Sequence, residues 1–208
     1  MTSPLEGLSA AAVADARAKQ GVLPSRLRRL HGDGAVAGRV LTVACAQGSA
    51  AALLRALAET GPGDVLIIQG AGEWGYFGEL AGAELVRRRA RGVVVDGLLR
   101  DLERLCTLPL HLYAAGLTPQ GAKPEGGGKV GEPLTIGGVA VATGDHVVGD
   151  ADGVVVVPAR EVDAVAARAR EIEAAEAEVW DRVLSGGSLL DEPGQYGRSL
   201  REMSGGRA

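Results

Sequence analysis

The sequence predicts a single α/β domain that is built around buried strands and ends in a long helix. Val93, Val94 and Val95 form a β-branched run without polar alternation, which is typical of a strand covered on both faces. At 208 residues, the chain is long enough for one domain with a substantial core. Hydrophobic residues make up 46% of the chain and aromatic residues only 3%, so valine, leucine, alanine and glycine must fill that core.

The first third of the chain predicts helices and strands in alternation. Ser9 can cap an alanine-rich helix, and Ser49 can cap a second one. Between them, residues 37–46 place apolar residues on both faces of a strand. Residues 61–64 read Gly-Pro-Gly-Asp and predict a turn, because proline fixes φ and glycine accepts positive φ. The predicted order is helix 9–20, basic irregular segment 27–34, strand 37–46, helix 49–60, turn 61–64 and strand 65–69.

The rest of the chain predicts short strands followed by one long helix. Gly137-Gly138 is a favoured two-residue hairpin turn, and Pro158 is suited to open a helix. His111 alternates with apolar residues and predicts a structural histidine. The predicted order is glycine-rich loop 70–78, helix 81–91, strand 93–95 with a tight turn after it, short helix to 105, strand 110–114, mobile loop 116–131, hairpin 134–141, strands 147–149 and 154–157, and helix 159–184.

Composition excludes two classes of partner. The formal charge is −4 and no basic block is present, so the electrostatic footprint of a nucleic-acid-binding protein is missing. No run approaches the ~18 apolar residues that cross a bilayer, and residues 1–6 lack the charged and apolar regions of a signal peptide. We therefore expect no nucleic acid partner, no membrane partner and a cytoplasmic location.

The candidate site consists of Arg100 and Asp101, directly after the valine strand, together with Glu79. The end of a strand in a parallel fold presents side chains to solvent from a rigid scaffold. Arg100 offers a permanently charged planar fork to a carboxylate or an enolate oxygen, and Asp101 offers a hard oxygen ligand to a divalent cation. Twenty residues separate Glu79 from Arg100, so the three can meet at one mouth. Taken alone, an Arg-Asp pair is also typical of a solvated cap or salt bridge.

The glycine-rich loop 70–78 and the helix start near Gly78 are suited to bind an anion. Free amides and the positive end of the helix dipole would face the ligand. The glycine spacing fits neither a Walker loop nor a dinucleotide fingerprint, which favours a carboxylate over a nucleotide phosphate. An ordinary strand-to-helix loop fits equally well. Trp74 and Tyr76 are candidates for the pocket wall or for a subunit interface.

Several motifs together resemble the RraA-like family, which includes the class II 4-hydroxy-4-methyl-2-oxoglutarate / 4-carboxy-4-hydroxy-2-oxoadipate aldolases. The specific feature is an acid, twenty residues and an Arg-Asp pair, and the resemblance covers residues 8–178. Thr143 departs from the family, which usually has proline there. The matching motifs are Gly61-Pro-Gly-Asp64, Gly78-Glu79, Val95-Asp-Gly-x-x-Arg-Asp101, Ile136-Gly-Gly-Val139, Gly144-Asp145 and Asp150-x-Asp-Gly-Val-Val-Val-Val-Pro158.

The resemblance implies a β/β/α fold like that of phosphohistidine swivelling domains, assembled as a homotrimer or a dimer of trimers with sites at subunit boundaries. Residues 1–184 would form the aldolase domain. The tail 185–208 would be marginal unless it docks on a neighbouring subunit. The implied activity is metal-dependent cleavage of a small 2-oxo acid to pyruvate, with decarboxylation of oxaloacetate.

The resemblance also implies roles for individual residues. Asp101 would hold Mg²⁺ or Mn²⁺ directly, Glu79 would reach the metal through water, and Arg100 would bind the oxo or enolate oxygen. A neighbouring subunit would supply a further acid, which we place at Glu176, with Glu173 and Glu178 as competitors. The pyruvate site would be lined by Gly78, Glu79, Leu80 and Ala81, whose amides would meet the substrate carboxylate.

The chemistry of the residues agrees with this activity. Cleavage beside a 2-oxo acid leaves a pyruvate enolate, whose charge needs a Lewis acid and a fixed cation. No lysine lies near the motif, which disfavours a Schiff-base route. The alternative is a protein that regulates ribonuclease E without lyase activity. Such relatives lack the acid after the arginine, so Asp101 favours the lyase. A methyltransferase is disfavoured because no glycine-rich cofactor loop is present.

Overall fold

The computed structural model describes residues 3–189, in which a nine-stranded mixed sheet forms the centre. Its main path runs β1-β6-β5-β3-β2-β10-β11, while β4 pairs with β5 and β7 pairs with β2. Strands β2, β3, β5 and β6 are parallel neighbours. The strands are β1 Arg28–His31, β2 Val36–Cys45, β3 Asp64–Gln69, β4 Gly75–Phe77, β5 Gly92–Leu99, β6 His111–Leu117, β7 Gly128–Val130, β8 Leu134–Ile136, β9 Val139–Val141, β10 His146–Gly149 and β11 Val154–Val157.

The helices described are few and the last one is long. A single 3₁₀ turn, Ala159–Glu161, leads into it. The α-helices are α1 Ala10–Ala16, α2 Ala51–Glu59, α3 Glu79–Arg87, α4 Leu102–Leu105 and α5 Val162–Leu184.

Alternation along the central strands sorts their side chains into two layers. Leu66 and Ile68 of β3 lie in one apolar cluster with Leu53 of α2 and Leu85 of α3. Their neighbour Ile67 lies in a second cluster on the opposite face, which includes residues of the β8-β9 hairpin. Successive side chains of a strand point to opposite faces, so one valine-rich strand supplies both layers. Helices therefore cover one face and a small second sheet covers the other, which confirms the predicted β/β/α fold.

A third apolar cluster joins the two ends of the described chain. Val13 of α1 and Val165 of α5 pack with Val155 of β11. Ser9 caps α1 as predicted, since its hydroxyl accepts a hydrogen bond from Ala12 N at 3.2 Å. This cluster fixes the first half of α5 against the body of the domain.

Several local predictions were wrong because distant strands decide the structure there. The segment 27–34 is not irregular, because β1 pairs with β6 through contacts such as Arg28 opposite Ala114. Helix α1 ends at Ala16 rather than at residue 20. Ala50 rather than Ser49 takes the N-cap position of α2, although the Ser49 hydroxyl accepts a hydrogen bond from Ala51 N at 3.2 Å and donates one to Gly127 O at 3.2 Å.

The strand that precedes the candidate site is longer than predicted. No tight turn follows Val95, because Leu98 and Leu99 find partners in β4 and β6 on either side. The loops 70–78 and 116–131 each contain a strand, β4 and β7. Helix α3 ends at Arg87, four residues early, since Arg89 adopts a positive φ of 61°.

The remaining predicted elements are present. Strands β2 and β3, the hairpin with positive φ at Gly137 and Gly138, the paired β10 and β11, and the long helix α5 match the predictions. No helix within residues 3–189 is long and apolar enough to cross a membrane. Of the predicted tail, residues 190–208 lie outside the described residues, so its docking stays a prediction.

Candidate active site

The candidate site lies where β5 ends and α3 begins. Arg100 follows the last residue of β5, and its backbone N donates to Phe77 O at 3.0 Å. Phe77 is the last residue of β4, so this hydrogen bond places Arg100 beside Gly78, the N-cap of α3. The pairing of β4 with β5 therefore brings together two segments that are about twenty residues apart in the sequence.

Arg100 lies in a space that glycines leave open. A Cβ atom added to Gly121 would come within 2.2 Å of a terminal nitrogen of Arg100, and one added to Gly78 within 2.9 Å of Arg100 Cγ. A Cβ at Gly75 would be 3.3 Å from the same side chain. Because Gly75, Gly78 and Gly121 have no side chains, the guanidinium of Arg100 has room to lie beside α3.

Asp101 adopts a left-handed backbone conformation with φ of 58° and ψ of 36°. Aspartate is among the few non-glycine residues that visit this region regularly, and such conformations cluster at functional sites. Its Oδ2 accepts hydrogen bonds from Arg100 Nε at 3.0 Å and from Glu79 N at 3.3 Å. The carboxylate is therefore anchored to both flanking segments, while its side chain keeps 28% exposure.

Glu79 forms an ion pair with Arg104, a residue that the sequence analysis did not place at the site. Its Oε2 accepts a hydrogen bond from Arg104 Nε at 3.0 Å. Arg104 lies on α4, three residues after Asp101, and its ion pair with Glu79 was not predicted. No local signal separates this arginine from the other surface arginines, because its partner is 25 residues away.

The structure thus brings Glu79, Arg100 and Asp101 together, as their spacing predicted. Beside them lies an open cleft of about 390 Å³. The sequence predictions missed one wall of it, formed by Leu117, Thr118 and Pro119 at the end of β6. The cleft is lined by Arg100, Asp101, Leu102, Leu117, Thr118 and Pro119.

The first turn of α3 has amides suited to an anion. The first amides of any helix have no partner within the helix, and Gly78 has no side chain that could cap them. Glu79 N donates to Asp101 instead, and the amides of Leu80 and Ala81 remain available to a ligand. Leu80 follows with 82% exposure, which leaves the surface of this turn open.

The aromatic residues of the preceding loop do not form the pocket wall. Tyr76 and Phe77 are 1% exposed and belong to the core, and Trp74 packs against the same cluster. The Tyr76 hydroxyl donates to Ala71 O and accepts from Gly48 N at 3.0 Å. These contacts hold the loop 70–78 against the core. Tyr76 is therefore a core residue, and it forms neither the pocket wall nor an exposed interface.

The acids predicted from the C-terminal region lie on α5. Glu173 accepts hydrogen bonds from both the backbone N and the hydroxyl of Ser9, each at 2.8 Å. Glu176 and Glu178 are exposed. Of the three candidates, Glu173 therefore has a structural role within its own chain.

The oxygen donors at the mouth suit a hard divalent cation. Within residues 3–189 no three His, Cys, Asp or Glu side chains gather as a complete metal site. Mg²⁺, however, is commonly bound through only one or two carboxylates and keeps several waters. Asp101 and Glu79 could supply such a pair of carboxylates, since Glu79 N lies 3.3 Å from Asp101 Oδ2, and the Glu79 carboxylate is paired with Arg104.

Fold and site together define a mixed α/β protein with an acid, an arginine and an aspartate at the edge of its parallel strands. A family model described as RraA-like, Aldolase/RraA, matches residues 10–156. The chain belongs to this RraA-like family.

Named relatives lie on both the enzyme and the regulator side of this family. A protein of Halalkalibacterium halodurans, provisionally named 4-hydroxy-4-methyl-2-oxoglutarate aldolase, is 32% identical over 82% of this chain and 84% of its own. The 4-hydroxy-4-methyl-2-oxoglutarate aldolase of Thermus thermophilus is 35% identical over 65% of this chain and 84% of its own. A solved structure, Streptomyces coelicolor RraAS2, is described as an unusual member of the RNase ES inhibitor RraA protein family. It superposes with a TM-score of 0.75 at 30% identity, and the match covers 86% of this chain and 96% of RraAS2.

Proposed function

We propose that this protein is a divalent-metal-dependent pyruvate aldolase that cleaves 4-hydroxy-4-methyl-2-oxoglutarate or a related 4-hydroxy-2-oxo acid and also decarboxylates oxaloacetate. The observation that carries the proposal is the contact of Arg100 with Asp101 next to Glu79, at the mouth of an open cleft. The aldolase names of relatives at 32% and 35% identity support it.

The first turn of α3 would bind the substrate carboxylate. The amides of Gly78, Leu80 and Ala81 could donate hydrogen bonds to this carboxylate, since helix N-termini bind anions through free N–H groups and the helix dipole. With the carboxylate there, the 2-oxo oxygen would lie on the side of Arg100. The glycines beside Arg100 leave its guanidinium room to face that oxygen.

Bond cleavage would place negative charge on the 2-oxo oxygen, which Arg100 would contact. As the C4 hydroxyl loses its proton, the electron pair of that O–H bond forms a C4 carbonyl, the C3–C4 bond breaks and its electron pair is delocalised from C3 onto the C2 oxygen as an enolate. Protonation of C3 by water then gives pyruvate. A guanidinium held in place before the reaction stabilises this charge without reorganisation. Oxaloacetate gives the same enolate when it loses carbon dioxide, so one arrangement serves both reactions.

Asp101 would hold the cation directly and Glu79 would orient a water on it. A divalent cation supplies Lewis-acid stabilisation of the developing charge. No histidine accompanies these acids. The three histidines of the chain contact Ser3, Leu108 and Asp33 instead, so the proton of the substrate hydroxyl would pass to water.

A homotrimer or a dimer of trimers would complete the site with an acid from a neighbouring subunit. Glu176 remains our placement of that acid. The contacts of Glu173 with Ser9 leave Glu176 and Glu178 as the freer candidates.

The test is pyruvate release from 4-hydroxy-4-methyl-2-oxoglutarate and from oxaloacetate, with Mg²⁺ and after treatment with EDTA. Arg100→Ala and Asp101→Asn should each lower kcat/KM by about 10²-fold or more, the usual effect of losing one stabiliser of transition-state charge. Asparagine tolerates the left-handed backbone of Asp101, so Asp101→Asn separates the loss of charge from misfolding.

The matched control is Arg87→Ala, which removes an equally charged side chain whose partner, Glu84, lies within the same helix. Its activity should equal that of the wild type. Activity that survives chelation and both site substitutions would remove the proposed site.

A second candidate function is regulation of a ribonuclease. It is favoured by the likeness to RraAS2, whose description places it in an RNase ES inhibitor family. Inhibition of ribonuclease E cleavage by purified protein, together with co-purification of the two, would support this function. Absence of both effects would eliminate it.

A further inference from the structure

A second guanidinium contacts one of the acids of the candidate site. Arg104 contacts Glu79 through Nε–H at 3.0 Å, yet its side chain is 79% exposed. A guanidinium carries five N–H donors, and among the described residues this is the one hydrogen bond that Arg104 donates. The two terminal nitrogens therefore retain donors that a ligand can use.

The two arginines and two acids of the mouth form one connected group. Arg100 pairs with Asp101, Arg104 pairs with Glu79, and Glu79 N links the pairs through its hydrogen bond to Asp101. These four side chains sum to zero charge. With a dication held by Asp101 the sum becomes +2, which suits a doubly charged ligand better than a singly charged one.

We propose that Arg104 determines specificity by binding the second carboxylate of a dicarboxylic 2-oxo acid. This inference rests on the proposed function and deepens it. In that arrangement α3 amides and Arg100 bind the 2-oxo acid end, and Arg104 is the further cation that the described contacts place beside Glu79. Both substrates of the proposed function carry such a second carboxylate, and the inference assigns the residue that binds it.

The contact between Arg104 and Glu79 is suited to exchange. Exposed ion pairs are weak, because water competes for both partners. A planar guanidinium can bind a carboxylate through two parallel hydrogen bonds, which the single Nε contact with Glu79 does not use. An arriving carboxylate would therefore replace one weak contact with a stronger one, and Glu79 would then be free to serve the cation.

The experiment compares two ligands that differ in the far carboxylate. Calorimetric titration in Mg²⁺ measures the Kd of pyruvate and of 2-oxoglutarate, neither of which carries the 4-hydroxyl or 3-carboxyl group that cleavage needs. Arg104→Ala should weaken 2-oxoglutarate about two- to fivefold more than pyruvate, the range expected for an exposed charge pair. Arg104→Lys should recover part of the difference, and Arg87→Ala should change neither Kd.

The ratio of the two Kd values decides the inference. An equal loss for both ligands would mean that Arg104 only positions Glu79, and no loss would mean that it does not bind substrate. Either result overturns the inference. Failure of the proposed function is a different outcome. If the wild type cleaves neither 4-hydroxy-4-methyl-2-oxoglutarate nor oxaloacetate, but Arg104→Ala still weakens 2-oxoglutarate selectively, the binding role of Arg104 stands without the aldolase activity. A wild type that binds neither ligand overturns both.

Discussion

Replacing Gly78 by alanine should damage the candidate site while sparing the fold. Gly78 has φ of −151° and ψ of −170°, a conformation that alanine adopts freely, so the substitution introduces no backbone strain. The new Cβ would lie 2.6 Å from Asp101 Oδ2 and 2.9 Å from Arg100 Cγ. Both atoms belong to side chains, which must move by about 0.8 Å and 0.5 Å to reach ordinary contact near 3.4 Å.

The expected effect on catalysis is much larger than that on stability. A misplacement of about 1 Å in a catalytic group can lower the rate about 10²-fold. The movement of two partly exposed side chains should lower the free energy of unfolding by only about 1 kcal/mol or less. Pyruvate release measures the first quantity, and thermal unfolding followed by circular dichroism measures the second.

Gly61→Ala is the matched control for this substitution. Its new Cβ would meet Asp64 Oδ2 at 3.5 Å, an ordinary contact at the opposite end of the parallel strands. Both its activity and its stability should stay near those of the wild type. If Gly78→Ala retains wild-type kcat/KM, the close apposition of Gly78, Arg100 and Asp101 does not matter for activity, and the steric reasoning fails.

Two further predictions concern stability. Burial, assisted by Arg39, lowers the pKa of His146 below its ordinary value of 6.5, so the folded protein holds this histidine neutral where the unfolded chain already binds a proton. The unfolding free energy should therefore fall as the pH drops below about 6.5, and His146→Gln should flatten that slope in urea titrations at several pH values. Thr143 Oγ1 accepts from the N–H of fully buried Thr42 at 3.0 Å, so Thr143→Ala should cost about 1–3 kcal/mol and Thr143→Ser much less, measured by the same titrations. An Ala variant as stable as the wild type would show that water replaces the hydroxyl.

The role of Thr143 shows how a departure from a family pattern acquires meaning only in three dimensions. The sequence marked the residue because proline is usual there. The structure shows that the Thr143 hydroxyl, in the turn between β9 and β10, accepts a hydrogen bond from the backbone of β2, 101 residues away along the chain. A proline at that position has no side-chain acceptor to offer.

The sequence by itself predicted an α/β domain with buried strands and the Arg100-Asp101 core of the candidate site, and the family resemblance added the β/β/α layering. Uninterrupted apolar runs are a local signal for the central strands, because side chains two apart share a face and a run without polar residues therefore fits a strand covered on both faces. The adjacency of Arg100 and Asp101 after a buried strand is likewise written in consecutive residues, and the twenty-residue spacing to Glu79 added the third member.

Only the tertiary structure decided which distant segments meet around that core. The edge strand β1 carries polar residues without a strand pattern and forms because β6 offers it a ladder of hydrogen bonds. The same holds for Gly121 against Arg100 and for Arg104 against Glu79. Such contacts depend on how strands pair and where helices end, and those choices minimise the free energy of the whole chain rather than that of any short segment.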